Sequence, residues 1–422
     1  MKRTICFVFS LLLVLSFTSV SLAMDVKERS DKYPDLRENI VYNVSSFLEE
    51  GMAEYYWVSD VDCDFFCLKY DGKEYEATVF TNYNTFLKAE NVEDMPMVKG
   101  ILEASGLTQA STDFTITEAA LRANNPEKSN QQIASAAKII CETAADVSEC
   151  LGKKVNNSAL FKMKGTYDLK NGVFSVNELL VEQGNDNYVN ATVILPESAQ
   201  VLHDVGKNEF WDRADYNAAI LAKRQELEAQ KDEDIEVPEE YVFYYESREA
   251  FRKEYESSDT TAAVSDQTRV TFDRLIVRNY ANTWTTNPTY CHVCNSSGHY
   301  QDPLYYNNAV FSTYYHNNDC CNYLSQALFY GGLNLNNSVW YPYSSAWRYI
   351  PSLMTYLSNQ GYLVNNGYYW ANAGGFINMN GDHVVIIVLN DTVNRQFSAH
   401  TNDRKYYAYG NDSSWTYYNL SV

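Results

Sequence analysis

No glutamate occurs after Glu256. From Ala262 to Val422 there are eight acidic residues, all Asp, against seven basic ones, so the chain before that point carries −20 of the formal net charge of −21. Neither part has a basic surplus, which argues against nucleic acid or an anionic membrane surface as a partner, since both need cationic patches. Beyond the first 23 residues no window holds the roughly 18 apolar residues of a spanning helix, so no transmembrane segment is expected. Histidine is scarce as well: of six, five (His292, His299, His316, His383 and His400) follow residue 290.

The one long apolar run is at the start, "MKRTICFVFSLLLVLSFTSVSLAMD". Lys2 and Arg3 precede it and Ser21-Leu22-Ala23 closes it with small residues, the pattern of a secretory signal peptide over residues 1–23. The mature chain is therefore expected to be secreted, extracellular or cell-wall associated. Its length suggests two domains. The change from Glu/Lys-rich to Asn/Tyr-rich composition near "YESSDTTAAVSDQT" suggests where to divide them. The expected organisation is an accessory α+β domain over 24–205, a helical connector and linker over 206–265, and a second domain over 266–422.

In the first half, apolar residues at helical spacing (Ile40, Val44, Phe47, Leu48) predict a helix over 36–57. Asp71-Gly72 and Asn171-Gly172 each mark a hairpin. "EKSNQQIASAAKIICETAADV", 209–231 and 239–256 predict helices, and "YVNATVIL" predicts a strand. Nothing here has catalytic spacing, and an accessory role is the expectation.

Eight cysteines remain once Cys6 leaves with the signal. An even set in an oxidising compartment usually pairs. Cys63 and Cys67 would sit roughly 13 Å apart on an extended strand, too far to bridge each other. Cys141 and Cys150 are similarly separated on one helix, so pairing between the two sets stays open. Adjacent Cys320-Cys321 is a poor staple.

The second half concentrates histidine beside cysteine, which points to a Cys/His nucleophilic site or a Cys/His zinc site. Asp319 is placed as N-cap of a helix that Gly331-Gly332 closes. On the helical wheel Tyr323, Leu324, Ala327 and Leu328 fall within about 80° of Cys320, which turns that thiol toward the packed face. A helix N-terminus would favour its thiolate. "GDHVVIIVLND" predicts a buried strand headed by His383, and "RQFSAHTNDRKYY" a following strand with His400, Asn402 and Asp403. A helix-start Cys, a strand-start His and a polar residue on the next strand fit the Cys-His-polar arrangement of papain-like enzymes.

"TFDRLIVRNYANTWTTNPTY", "DCCNYLSQALFYGG", "HVVIIV" and "SAHTNDR" resemble, in order and spacing, the amidase domain of secreted proteins of Gram-positive bacteria, a branch of the papain-like NlpC-type and CHAP superfamily. The resemblance covers about residues 268–422. It implies a papain-like α+β cysteine hydrolase with Cys320 as nucleophile, His383 as general base and His400 as the residue orienting it, with Asn402 as the fallback. Asp319, Asn322 and Gln326 would position substrate or support the helix start, and the Cys320 N–H would serve an oxyanion. The implied partner is a peptide or peptidoglycan-type amide substrate, with no cofactor. The alternative is a catalytically silent wall- or glycan-binding module.

Three features depart from the family. Cys321 stands where Thr is usual, "AGGFINMNGDH" replaces the usual Gly-Asp element before the His383 strand with a less regular stretch, and "CHVCNSSGHYQDP" is additional. Cys291, Cys294, His299 and His316 have the residue types of a four-ligand zinc site, whereas in a secreted chain a 291–294 disulfide or pairing elsewhere is the favoured reading.

Overall fold

The computed structural model describes residues 33–184, 187–228, 238–255, 271–295, 299–312 and 315–422. The expected signal peptide and most of the expected linker lie outside these residues. Among them no helix is long and apolar enough to cross a membrane. The protein is α+β and divides into two compact units.

The smaller unit comprises residues 33–85 and 158–195 of the described chain. Helix α1 (Pro34–Met52) buries Leu36, Ile40, Val44, Leu48 and Met52, one stripe at four-residue spacing. Strands β1 (Tyr56–Tyr70) and β2 (Glu74–Leu87) form the Asp71-Gly72 hairpin, in which Asp71 Oδ1 accepts the N–H groups of Lys73 and Glu74. Strands β3 (Lys154–Asp168) and β4 (Val173–Glu182) pair antiparallel across Asn171-Gly172. The last predicted strand is shorter than expected: β5 (Tyr188–Asn190) gives way to a 3-10 turn, Ala191–Ile194.

The larger unit comprises residues 86–157 and 196–422. This corrects the expected boundaries at 205 and 266, because helices from the first half pack with the C-terminal sheet. Helices α2 (Pro96–Ser105), α3 (Phe114–Asn124), α4 (Asn130–Ser148) and α5 (Ala199–Glu228) all belong to it. Helix α4 opens with the Ser129/Gln132 capping box. Helices α2 and α5 cross at paired glycines. A Cβ on Gly100 would meet the His203 carbonyl at 2.1 Å, and one on Gly206 the Met97 carbonyl at 2.1 Å. Helix α5 begins ten residues before the predicted 209, and α6 (Val242–Tyr255) begins three residues after the predicted 239.

Two more helices, α7 (Arg274–Thr283) and α8 (Cys320–Gly331), precede α9 (Ile350–Asn359). The sheet then runs through β6 (Leu363–Asn365), β7 (Phe376–Met379), β8 (His383–Asn390), β9 (Arg395–Ala399), β10 (Arg404–Ala408) and β11 (Trp415–Leu420). Its order is β10-β9-β8-β7-β11-β6, every pair antiparallel. On β8, Val384, Ile386 and Val388 join the core around α8, while Val385 and Ile387 alternate to the other face and are equally buried. Cover on both faces explains the unbroken apolar run.

Ion pairing ties the early helices to this core. Arg274 donates to Asp146 Oδ1 at 2.6 Å, to the Ala373 carbonyl at 2.9 Å and to the Glu142 carbonyl at 3.1 Å. Gly374 lets α7 approach: at its φ of +85° a Cβ would lie 1.9 Å from the Arg274 carbonyl oxygen.

Candidate active site

Helix α8 is buried along its whole length, not on one face. Its polar side chains are each satisfied inside the core. Asn322 accepts from Trp347 Nε1 at 2.7 Å, Ser325 accepts from Trp340 Nε1 at 3.3 Å, and Gln326 accepts from Tyr280 Oη at 2.6 Å. Asn322 and Gln326 are therefore internal braces, and neither lines an open site.

Asp319 departs from its expected role. Its side chain does not cap α8. One carboxylate oxygen accepts the Tyr315 N–H at 2.9 Å and the Asn322 amide at 2.8 Å, and the other accepts His400 Nδ1 at 2.8 Å. The cap comes from Thr401, whose hydroxyl oxygen accepts the N–H groups of Asp319 at 2.9 Å and Cys320 at 3.2 Å. The Cys320 N–H, expected to face an oxyanion, is thus occupied. Thr401 sits at φ +92°, a costly backbone for a β-branched residue, held by the tight β9–β10 turn. Thr401→Ala is expected to lose about 1 kcal/mol through the missing cap, read as a lower Tm.

His400 also departs from its expected role. Its two ring nitrogens face the Asp319 carboxylate and the Trp284 carbonyl, so it does not orient His383. Both partners are acceptors, which requires a hydrogen on each nitrogen, the imidazolium form. The ring is stacked between Tyr306 and Tyr323, with centroids 4.0 and 3.8 Å away. Burial by itself holds the His400 pKa down, but the Asp319 hydrogen bond, the Asp403 and Asp319 charges and the Trp284 carbonyl overcome it and raise it. Burial pushes the Asp403 carboxyl up to about 7, against the pull of His400 and the bonds from Asp302 N–H and Tyr306 Oη. Asn402, the fallback orienter, accepts the Tyr300 N–H at 3.2 Å.

The sign of these shifts sets a pH dependence. A raised His400 contributes stability that is complete below its unfolded value and is lost as pH rises through its folded value. Asp403 acts in the same sense: its contribution is complete below the ordinary carboxylate range and is lost as pH climbs toward about 7. Tm is expected to fall as pH rises from about 4 to about 7 and onward through the raised His400 value, and to fall less in His400→Gln. An unchanged slope in that variant would place the dependence elsewhere.

Cys320 begins α8, 2 % exposed, and lies in the same buried core as Val384. Val384 follows His383, the buried first residue of β8. The structure thus brings Cys320 against the strand head that carries His383. A turn through Asn380 (φ +58°) and Gly381 (φ +82°) sets that strand head, and this Asn-Gly signal was legible in the sequence. Burial pushes the Cys320 thiol up, more than the Val384 and Thr401 hydrogen bonds draw it down, which reverses the expected activation by the helix end. Cys321 is buried in the core around α8, its thiol pushed well up by burial and by Cys320. A cavity lined by Phe272, Arg274, Asn366 and Gly374, among others, includes neither Cys320 nor His383.

Among the described residues all eight cysteines are unpaired, in contrast to the favoured disulfide reading for Cys291 and Cys294. Cys291, Cys294, His299 and His316 converge instead, their ligand atoms within 4.8 Å of one another.

No protein-family model, curated protein or solved structure matches the chain. Function therefore has to be argued from the geometry and from the motifs that the sequence carries.

Proposed function

We propose that the larger unit is a papain-like cysteine amidase or peptidase of a secreted protein, acting on an amide bond in cell-wall peptide. The observation that carries this reading is the placing of Cys320, at a helix start, in one buried core with Val384, the residue after His383. Nucleophile and base would then come from two fixed elements, as such chemistry requires. The substrate class rests on the motif resemblance alone.

On this reading the catalytic set is the pair Cys320 and His383, with His400 as a positioning residue acting through Asp319. Because the Cys320 thiol is held protonated, its proton passes to His383 as sulfur attacks the amide carbon. The tetrahedral intermediate expels the amine, which takes that proton from His383. Water, deprotonated by the same imidazole, then cleaves the thioester and releases the acid and the thiol. The oxyanion needs N–H donors at the start of α8, and turning Thr401 aside would release two of them together.

The near-complete burial of Cys320 favours a second reading, a silent wall-binding module. The test is incubation of the full chain with cell-wall stem peptides. Release of amine, together with an acyl thioester on the peptide containing Cys320, supports the amidase. Wall binding without either product, unaltered in Cys320→Ala, would establish the silent module.

A further inference from the structure

Between α7 and α8 the described residues, 284–295, 299–312 and 315–319, hold one 3-10 turn, Pro303–Tyr305, and a connection of that length needs something to hold it. Two pairs of side chains in it meet. Cys291 Sγ lies 3.4 Å from His316 Nε2, Cys294 Sγ lies 3.4 Å from His299 Nε2, and the two Nε2 atoms are 2.8 Å apart. We propose that Cys291, Cys294, His299 and His316 bind one zinc ion that staples this loop beside the candidate active site.

The donor set fits. Two thiolates and two imidazoles are the mixed S₂N₂ environment zinc takes in structural sites, and the Cys-x-x-Cys spacing is the usual knuckle. With Zn–S of about 2.3 Å and Zn–N of about 2.0 Å, tetrahedral geometry sets S···N edges at about 3.5 Å, which both observed S···N distances match. The N···N edge of such a site is about 3.3 Å and its longest edge about 3.8 Å, so around the ion the two rings part by about half an ångström and the widest ligand separation, 4.8 Å, closes by about 1 Å. Four protein donors leave no open position, which makes the site structural and not catalytic. Two of the donors are on the surface: Cys294 and His316 are exposed. Zinc would keep that exposed thiol from oxidation as well as from pairing.

The staple would act on named contacts. Between the ligands, Tyr300 donates to Asn402 and accepts the Asp403 N–H at 2.6 Å, and the Asp302 N–H reaches Asp403 Oδ2 at 2.9 Å. Next to His316, the Asn317 N–H donates to Gln301 at 3.0 Å. The loop thereby clasps the turn that carries His400 and Thr401, and its last ligand lies four residues before Cys320.

The experiment is elemental analysis of the full secreted chain, purified without chelator and then supplied with zinc chloride. One zinc per chain is expected, lost in Cys294→Ser and in His299→Ala, with Cys291 and Cys294 shielded from alkylation until a chelator is added. Replacement by cobalt should give the intense visible bands of a tetrahedral thiolate site. If the variants fail to fold, chelator-dependent alkylation and the cobalt spectrum of the unaltered protein decide the matter. Absence of stoichiometric zinc after supply, or a Cys291–Cys294 disulfide found by mass spectrometry, overturns the proposal. Neither outcome depends on whether Cys320 is catalytic.

Discussion

Arg274→Ala is expected to destabilise the folded chain by about 3–5 kcal/mol, the cost of breaking a buried ion pair from one side. The Asp146 side chain is 2 % exposed and that of Arg274 16 %, so water cannot replace the lost partner. Burial already pushes the Asp146 carboxyl up, with Arg274 providing the main opposing pull and the Ala373 N–H a smaller one. Arg274, in turn, is raised: burial lowers it, but Asp146 and Glu142 outweigh that. The two shifts differ in what they imply for the pair. The geometry of a 2.6 Å contact with further carbonyl acceptors on the guanidinium supports a formed pair. Urea denaturation is the measurement. The double change Arg274→Met with Asp146→Leu should be less damaging than Arg274→Ala alone, because it removes both charges and leaves none stranded. Strict additivity would mean that the pair does not couple α4 to α7.

Cys320→Ala is expected to lower amide hydrolysis on the order of 10⁴-fold or more, the scale seen when a nucleophile is removed from an acyl-transfer site. The fold should survive, since the change removes only one sulfur atom from the core. Cys321→Ala serves as the control. As a core thiol it should leave turnover nearly intact while lowering Tm. Equal loss in both variants would show that the change acts through packing, and loss in Cys321→Ala alone would reassign the nucleophile. Alkylation adds a separate reading. With its thiol raised by burial, Cys320 should label slowly at neutral pH and faster as pH rises.

What was legible in the sequence was local. The stripe Ile40, Val44, Leu48 gave α1, Asp71-Gly72 and Asn171-Gly172 gave their hairpins, and the β-branched run after His383 gave a doubly covered strand. The misreadings share one cause, partners far away in the chain. Asp319 looked like a cap because Asp often is one, yet its carboxylate is claimed by His400, 81 residues on, and Thr401 takes over the capping. His400 looked like a catalytic orienter, but Trp284 and Asp319 occupy both of its nitrogens. Composition placed a domain boundary after residue 205, whereas the Asp146–Arg274 contact ignores it. The four-residue Cys/His set was visible as residue types, but nothing in the spacing says that a loop will fold back to close it.

The larger unit is drawn from two stretches of chain, with residues 158–195 of the other unit between them. During synthesis, α4 leaves the ribosome 128 residues before Arg274 exists to meet Asp146, and 227 before the Ala373 N–H that completes its shell. Until then that face of α4 has only water and whatever escorts the nascent chain. Assembly must therefore wait for the C-terminus, and residues 266–422 produced alone would begin life without the helix on which Arg274 closes.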